Sequence, residues 1–157
     1  MITRVYNAPR EAVWKAWTDR EALAQWWGPK GCAVEVAALD VRPGGIFHYG
    51  IDMPDGKRIW GRFVYREVEA PSRLVFVDSF SDEKGRVTRA FFSESFPLEI
   101  LNVVTLTESG GKTTLRLEGS PLNPTDEERA AFEGMHKLMQ QGFGGTFDQL
   151  DDYLASH

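Results

Sequence analysis

Hydrophobic and polar residues alternate along most of the chain between residues 33 and 120. A period of two is typical of β-strands that turn one face to a core and the other to solvent. Clusters rich in glycine, proline and aspartate separate the alternating runs and predict tight turns between antiparallel neighbours. The pattern predicts six strands, in the runs AVEVAALDV, GIFHYGIDM, RIWGRFVYREV, RLVFVDSF, LEILNVVTLT and KTTLRLEG.

The N-terminal segment predicts one more strand followed by two short helices. Residues 2–6 form a β-branched run, and apolar residues recur at helical spacing in the PREAVWKAW stretch that follows. Thr18 and Glu21 fit a capping box, in which each side chain bonds to the backbone of the other residue. A second short helix is therefore expected to begin there and to end before Gly28.

The C-terminal segment predicts a long amphipathic helix. Thr125 and Glu128 fit another capping box, and apolar residues then share one broad face as far as Leu154. The predicted sheet is the surface that this face would cover. We therefore predict an α+β fold, in which a curved antiparallel sheet wraps around a long C-terminal helix, with two short helices near the N-terminus.

Four glycines interrupt the predicted C-terminal helix, at Gly134, Gly142, Gly144 and Gly145. Each costs about 1 kcal/mol of helix stability relative to alanine. Two explanations stay open: the helix approaches a strand closely, or space beside it is left for a molecule that the chain does not supply. Residues 81–97 also predict a lid, because their AFFSESF stretch is too aromatic for an ordinary solvated loop.

Two adjacent tryptophans, Trp26 and Trp27, stand at the end of the second short helix. Neighbouring side chains on a helix point about 100° apart, so the two indoles face different surroundings. Trp26 continues the apolar face of the helix and is predicted to anchor it in the core. Trp27 is either a wall of a ligand cavity or a second structural residue, and the pattern leaves both interpretations open.

The chain resembles the bacterial proteins grouped with the activator of the heat-shock chaperone ATPase, in the START-like (SRPBCC, Bet v-like) superfamily. The resemblance covers nearly the whole chain and is carried by NAPREAVWKAWTDREALAQWWGPKGC, PSRLVFVDSF and GMHKLMQQGFGGTFDQLDDYL. It implies a helix-grip fold with an internal cavity for a small apolar or amphipathic molecule. It implies no single activity, because members include ligand carriers, cyclase-like enzymes and a eukaryotic co-chaperone domain.

Strand alternation and the helix face together predict the residues that contact the ligand. Phe47 and Tyr49 share the more apolar face of their run, and Tyr hydroxyls suit the polar end of an amphipathic molecule. Phe143 stands where similar proteins usually carry Trp, which would enlarge the cavity slightly. The predicted ligand-binding residues are Trp27, Phe47, Tyr49, Phe63, Tyr65, Phe76, Phe92, Met139 and Phe143.

Motifs for catalysis or for metal binding are not evident in the sequence. The three histidines lie at no metal-ligand spacing, and Cys32 has no base near it in the sequence, so no metal and no cofactor are expected. Strand alternation predicts that His48 lies on the outer face of the sheet, where its side chain is expected to be solvated. Asp78 and Glu99 interrupt apolar runs and are expected at the surface, although an inward carboxyl with a shifted pKa is the alternative.

Length and charge limit the classes of function. The chain has 157 residues, which suits a single domain over 1–157, and its 23 acidic against 18 basic residues argue against nucleic-acid binding. Apolar runs are too short to cross a membrane, and MITRVYNAPR lacks the apolar core of a secretory signal. A single cysteine agrees with a reducing compartment, so a cytoplasmic location is expected.

Three functions are compatible with these features. The first is binding of a small apolar or amphipathic molecule, and the second is a cyclase-like, hydrolase-like or isomerase-like enzyme, which needs an ionisable group inside the cavity. The third is a partner-binding domain like the co-chaperone. A chaperone partner is not expected, because the co-chaperone carries a further domain for which 157 residues leave no room. A homodimer through an exposed sheet edge stays open.

Overall fold

The structure is a computed structural model that describes residues 2–29, 31–90 and 93–156. Within these ranges seven strands form one antiparallel sheet in the order β1-β7-β6-β5-β4-β3-β2, as the alternating pattern predicts. The chain therefore runs as a meander whose first strand returns to pair with the last. The strands are β1 (Ile2–Tyr6), β2 (Ala33–Leu39), β3 (Ile46–Asp52), β4 (Arg58–Glu69), β5 (Arg73–Ser81), β6 (Ile100–Ser109) and β7 (Lys112–Pro121).

Two short helices, α1 (Arg10–Thr18) and α2 (Arg20–Trp26), connect β1 to β2. The side chain of Asp19 caps α2 by accepting a hydrogen bond from the Ala22 N–H at 3.1 Å. The expected cap at Thr18 is wrong by one residue, since its hydroxyl donates to the Trp14 carbonyl of α1 at 2.9 Å. A carboxylate accepts the free N–H groups of a helix start more strongly than a hydroxyl does.

The C-terminal segment forms two helices, α3 (Asp126–Gly134) and α4 (His136–Ser156). The capping box of Thr125 and Glu128 is confirmed at the start of α3. The expectation of one continuous helix is wrong, because the Met135 backbone (φ −97°, ψ 1°) leaves α-helical geometry directly after Gly134. None of the described helices has the length and apolar character that a membrane span requires.

The aromatic core fills one end of the wedge between the sheet and α4. The second half of α4 contributes Phe147 and Leu150, both fully buried. Ring contacts are close there: the Phe63 and Phe76 centroids lie 4.0 Å apart, and those of Trp17 and Trp26 lie 5.0 Å apart. The buried aromatic side chains of this aromatic core include Tyr6, Trp17, Trp26, Trp27, Phe47, Phe63, Tyr65, Phe76 and Phe147.

Candidate functional site

A cavity of about 310 Å³ occupies the other end of the wedge, beneath α3 and the first turns of α4. At about 30 Å³ per water molecule in the liquid, this is room for about ten non-hydrogen atoms. The walls are mostly apolar and come from the inner face of the sheet, from residues 96–98 and from both helices. They include Ile2, Tyr49, Ile51, Ile59, Phe80, Phe96, Leu98, Ile100, Leu117, Phe132, Met135, Met139 and Phe143.

Residues 93–98 and α3 together form a cover over one side of the cavity. The Phe96 ring packs against Phe132 of α3 with centroids 6.1 Å apart. The Ser95 hydroxyl donates to Glu127 Oε1 at 2.8 Å, and Arg89 Nη1 donates to Glu128 Oε2 at 2.7 Å. The described part of the aromatic loop after residue 92 thus lies beside the cavity, and its action as a lid stays a prediction.

Asp78 places a carboxyl group on the cavity wall. It lies on the inner face of β5, between its register partners Phe63 of β4 and Ile100 of β6. Its side chain forms no hydrogen bond or ion pair with any described residue. Burial raises the pKa of Asp78 to about 7, because desolvation favours the neutral acid. The expectation of a surface position for Asp78 is therefore wrong.

Tyr49 brings a phenol to the same wall, next to the aromatic core. Its ring crosses Gly61 of the neighbouring strand, where a Cβ would lie 2.5 Å from the hydroxyl oxygen. Burial raises the pKa of Tyr49 well above 10, and the negative charge of Asp78 raises it further. The Trp27 indole N–H opposes this effect without reaching hydrogen-bond geometry. Tyr49 is therefore a neutral phenol at physiological pH, able to donate its proton in a hydrogen bond.

The remaining polar groups of the cavity wall include Asn102 and His136. Asn102 is buried, and its Nδ2 donates to the Ile100 carbonyl at 3.3 Å, so its carbonyl oxygen is left for other donors. His136 is exposed at the start of α4. Sequence reasoning did not single out Asn102, because one polar residue in an alternating strand does not stand out. Among the described residues no cluster of histidine, cysteine, aspartate or glutamate is placed to hold a metal ion.

Of the residues predicted to contact a ligand, Tyr49, Met139 and Phe143 line the cavity. Trp27 lies behind Tyr49 in the aromatic core, with ring centroids 5.9 Å apart, and it is 8% exposed. Phe92 lies outside the described residues. Four more of the nine predicted residues lie in the packed core and off the cavity wall: Phe47, Phe63, Tyr65 and Phe76. Contact of any of the nine with a ligand stays a prediction.

The helix glycines contradict the first of the two explanations drawn from the sequence, whereas the second stays a prediction. A Cβ added at Gly134, Gly142, Gly144 or Gly145 would meet no atom within 4 Å, so close approach to a strand is wrong. There is open space beside the helix at these positions, but none of the four glycines lines the cavity. Packing therefore does not require glycine at these four positions.

His48 and Glu99 lie off the cavity wall. His48 faces outward, as alternation predicts, but it is only 8% exposed, so the expectation of a solvated side chain is wrong. Its ring stacks on Trp60 with centroids 5.0 Å apart, and its Nε2 lies 3.0 Å from the Asp82 carbonyl oxygen. These contacts make His48 a packing residue under the turn that follows β5.

Comparison with known proteins places this geometry in a family. Residues 7–155 match the family model described as Activator of Hsp90 ATPase homolog 1-like protein. No functionally curated protein shows significant similarity to the chain.

Solved bacterial structures share the fold along nearly the whole chain. Protein Ms6760 from Mycobacterium smegmatis is 28% identical, with a TM-score of 0.79 over 98% of this chain and 88% of its own. A protein from Arthrobacter aurescens is 25% identical, with a TM-score of 0.82 over 99% of this chain and 85% of its own.

A third similar structure comes from a biosynthetic locus. DynU16, a protein in the dynemicin biosynthetic locus, is 25% identical, with a TM-score of 0.65 over 98% of this chain and 46% of its own. The family model spans nearly all of the chain, and the helix-grip architecture agrees with it. The chain therefore belongs to the family of Activator of Hsp90 ATPase homolog 1-like proteins.

Proposed function

We propose that this protein binds a small apolar or amphipathic molecule in the cavity between the sheet and helices α3 and α4. The observation that carries the proposal is the cavity itself, about 310 Å³ in volume and walled mainly by aromatic and aliphatic side chains. Ligand sites of proteins begin at about this size and have the same makeup, an apolar wall with a few polar groups.

The difference in packing between the two ends of the wedge supports a binding site in the cavity. The cavity is partly open to solvent, so its apolar walls are exposed to water, and exposed apolar surfaces of this kind often mark ligand sites. The aromatic core shows that this chain packs the other end of the same wedge tightly. Met135 and Met139 on the cavity wall have flexible side chains that adapt to ligands of different shape.

A fluorescence titration with N-phenyl-1-naphthylamine, a neutral apolar probe, tests this proposal. Met139→Trp adds volume on the cavity wall and is expected to weaken probe binding at least tenfold. Gln141→Trp makes the same kind of change on an exposed part of α4 off the wall and is expected to leave binding unchanged. Equal binding by wild type and Met139→Trp, or no binding by wild type, would overturn the proposal.

A second candidate function, proton-transfer catalysis, is favoured by one observation. Asp78 has a pKa of about 7 and faces the cavity, which suits a general acid or base at neutral pH. Mass spectrometry of compounds that co-purify with wild type and with Asp78→Asn from the native host tests it. Conversion of the compound found on the variant by added wild-type protein would indicate turnover by Asp78, whereas a compound that wild-type protein leaves unchanged would exclude it.

A further inference from the structure

The cavity carries a carboxyl group for which the described part of the chain supplies no counter-charge. Asp78 faces an apolar space, and no described residue donates a hydrogen bond to it or pairs with it. The only other titratable side chains on the wall are Tyr49 and the exposed His136, and no Lys or Arg lies there among the described residues. Burial of a carboxylate normally requires a cation or several hydrogen-bond donors, and none of the described residues supplies either to Asp78.

From this placement we infer that the cavity selects amphipathic molecules with a positively charged amine, whose ammonium group lies against Asp78. The inference rests on the proposed function and gives it a ligand class. Against an apolar wall that limits the access of water, attraction between an ammonium and a carboxylate is stronger than in bulk solvent. A ligand with an anionic head would instead meet a like charge and lose its hydration without compensation.

The aromatic wall independently favours the same head group. Tyr49 and Phe80 lie on the inner face of the sheet beside Asp78, and both line the cavity. Faces of aromatic rings attract organic cations, alkylammonium groups among them. The apolar walls farther along the cavity would hold the hydrocarbon body of the ligand.

Three probes with the same hydrocarbon body and different head groups test the inference: n-octylamine, 1-octanol and octanoate. Each has about ten non-hydrogen atoms, which matches the room in the cavity. Calorimetric titrations at pH 8 are expected to show octylamine binding at least tenfold more tightly than octanol, with octanoate weakest. Octanoate binding most tightly, or octanol binding as tightly as octylamine, would overturn the amine inference and leave the cavity proposal standing.

Asp78→Asn removes the charge while nearly conserving shape. The variant is expected to lose the preference for octylamine and to bind octanol within twofold of wild type, which also shows that its cavity is intact. Asp152→Asn, which removes an exposed carboxylate of α4, is expected to keep the wild-type preference. An unchanged preference in Asp78→Asn would overturn the inference. No binding of any probe to wild type would overturn the proposed function as well.

The wild-type protein offers a second measurement that needs no variant at Asp78. Alkylamines stay protonated between pH 6 and pH 8, whereas Asp78, with a pKa of about 7, becomes mostly neutral at the lower value. The octylamine preference is therefore expected to fall several-fold from pH 8 to pH 6. The same fall in His136→Gln would assign it to Asp78, and a preference independent of pH would contradict the inference.

Discussion

Gly61 leaves the space that the Tyr49 phenol occupies on the cavity wall. A Cβ on Gly61 would lie 2.5 Å from the Tyr49 hydroxyl oxygen, far inside van der Waals contact. The ring has little freedom to withdraw, because it packs against Phe47 and Trp27 with centroids 4.8 and 5.9 Å away. Gly142 is the opposite case, since a Cβ there would meet open space.

Alanine substitutions at these two glycines are expected to act in opposite directions. Gly61→Ala should lower the free energy of unfolding by about 1–3 kcal/mol, through overpacking against Tyr49. Gly142→Ala should raise it by about 0.5–1 kcal/mol, because alanine is the better helix former and nothing obstructs its methyl group. Urea denaturation measures both changes. A neutral Gly61→Ala would contradict the placement of the Tyr49 ring.

At the scale of elements, α3 is held mainly by its links to Arg89, Ser95 and Phe96 and not by the core. None of its residues is buried, and its polar links run to Arg89 and Ser95. Glu128 connects the start of α3 to Arg89. The Thr125 backbone N–H has the larger effect and the Arg89 guanidinium the smaller one, and both hold the pKa of Glu128 below its usual range. An element with so few buried contacts opens more easily than the strands do.

Arg89→Ala is expected to loosen α3 without unfolding the sheet. Loss of the Arg89–Glu128 pair, in which Glu128 is 13% exposed, should speed amide exchange in α3 about fivefold. Hydrogen-exchange mass spectrometry of residues 126–134 measures this. Arg129→Ala, which removes only the exposed pair with Asp126, should leave the rate nearly unchanged. Equal rates in both variants would show that Arg89 does not hold the helix.

Alternation predicted which strand residues face the helix, but not where along each strand the helix and the cover lie. Phe63 and Tyr49 are both inward, yet only Tyr49 reaches the cavity, since its position depends on contacts between distant segments. The position of α3 along the sheet depends on contacts such as the hydrogen bond from Arg89 to Glu128. These two residues are 39 positions apart, so no local sequence pattern predicts their contact. Element types were therefore predictable and the cavity wall only partly so.

Asp78 departs from the general rule that carboxylates lie at the protein surface. Its alternation partners Leu74, Phe76 and Phe80 share the inner face, so the pattern itself pointed inward. The surface expectation came from the cost of burying a charge, which holds for most carboxylates. Departures from such rules concentrate at functional sites, and the conflict between the two signals at Asp78 could have identified the site.

At the scale of the whole molecule, Asp78 makes stability depend on pH. Its folded pKa of about 7 lies above the ordinary value of 3.8, so the folded state binds more protons than the unfolded state between these values. Stability conferred by this group therefore falls as pH rises from about 4 to about 7, and the loss is complete above pH 7. The full penalty is on the order of a few kcal/mol.

Asp78→Asn is accordingly expected to stabilise the protein at pH 8 by up to a few kcal/mol, and by much less at pH 5. Chemical denaturation of wild type and variant at pH 5 and pH 8 measures the difference in their free energies of unfolding. All other titrating groups are the same in both proteins, so their contributions cancel in this difference. Asp152→Asn should show no comparable gain at pH 8. A gain that is equal at pH 5 and pH 8 would contradict a shifted Asp78 pKa.

The uneven filling of the wedge has a consequence for how proteins of this kind diverge. Most of the stabilising packing lies in the aromatic core, whereas the cavity wall also borders unfilled space. Replacements of wall residues outside the core remove less packing, so selection can alter the accepted compound with small losses of stability. Descendants of one ancestral chain can thus acquire different chemical preferences while their architecture stays the same.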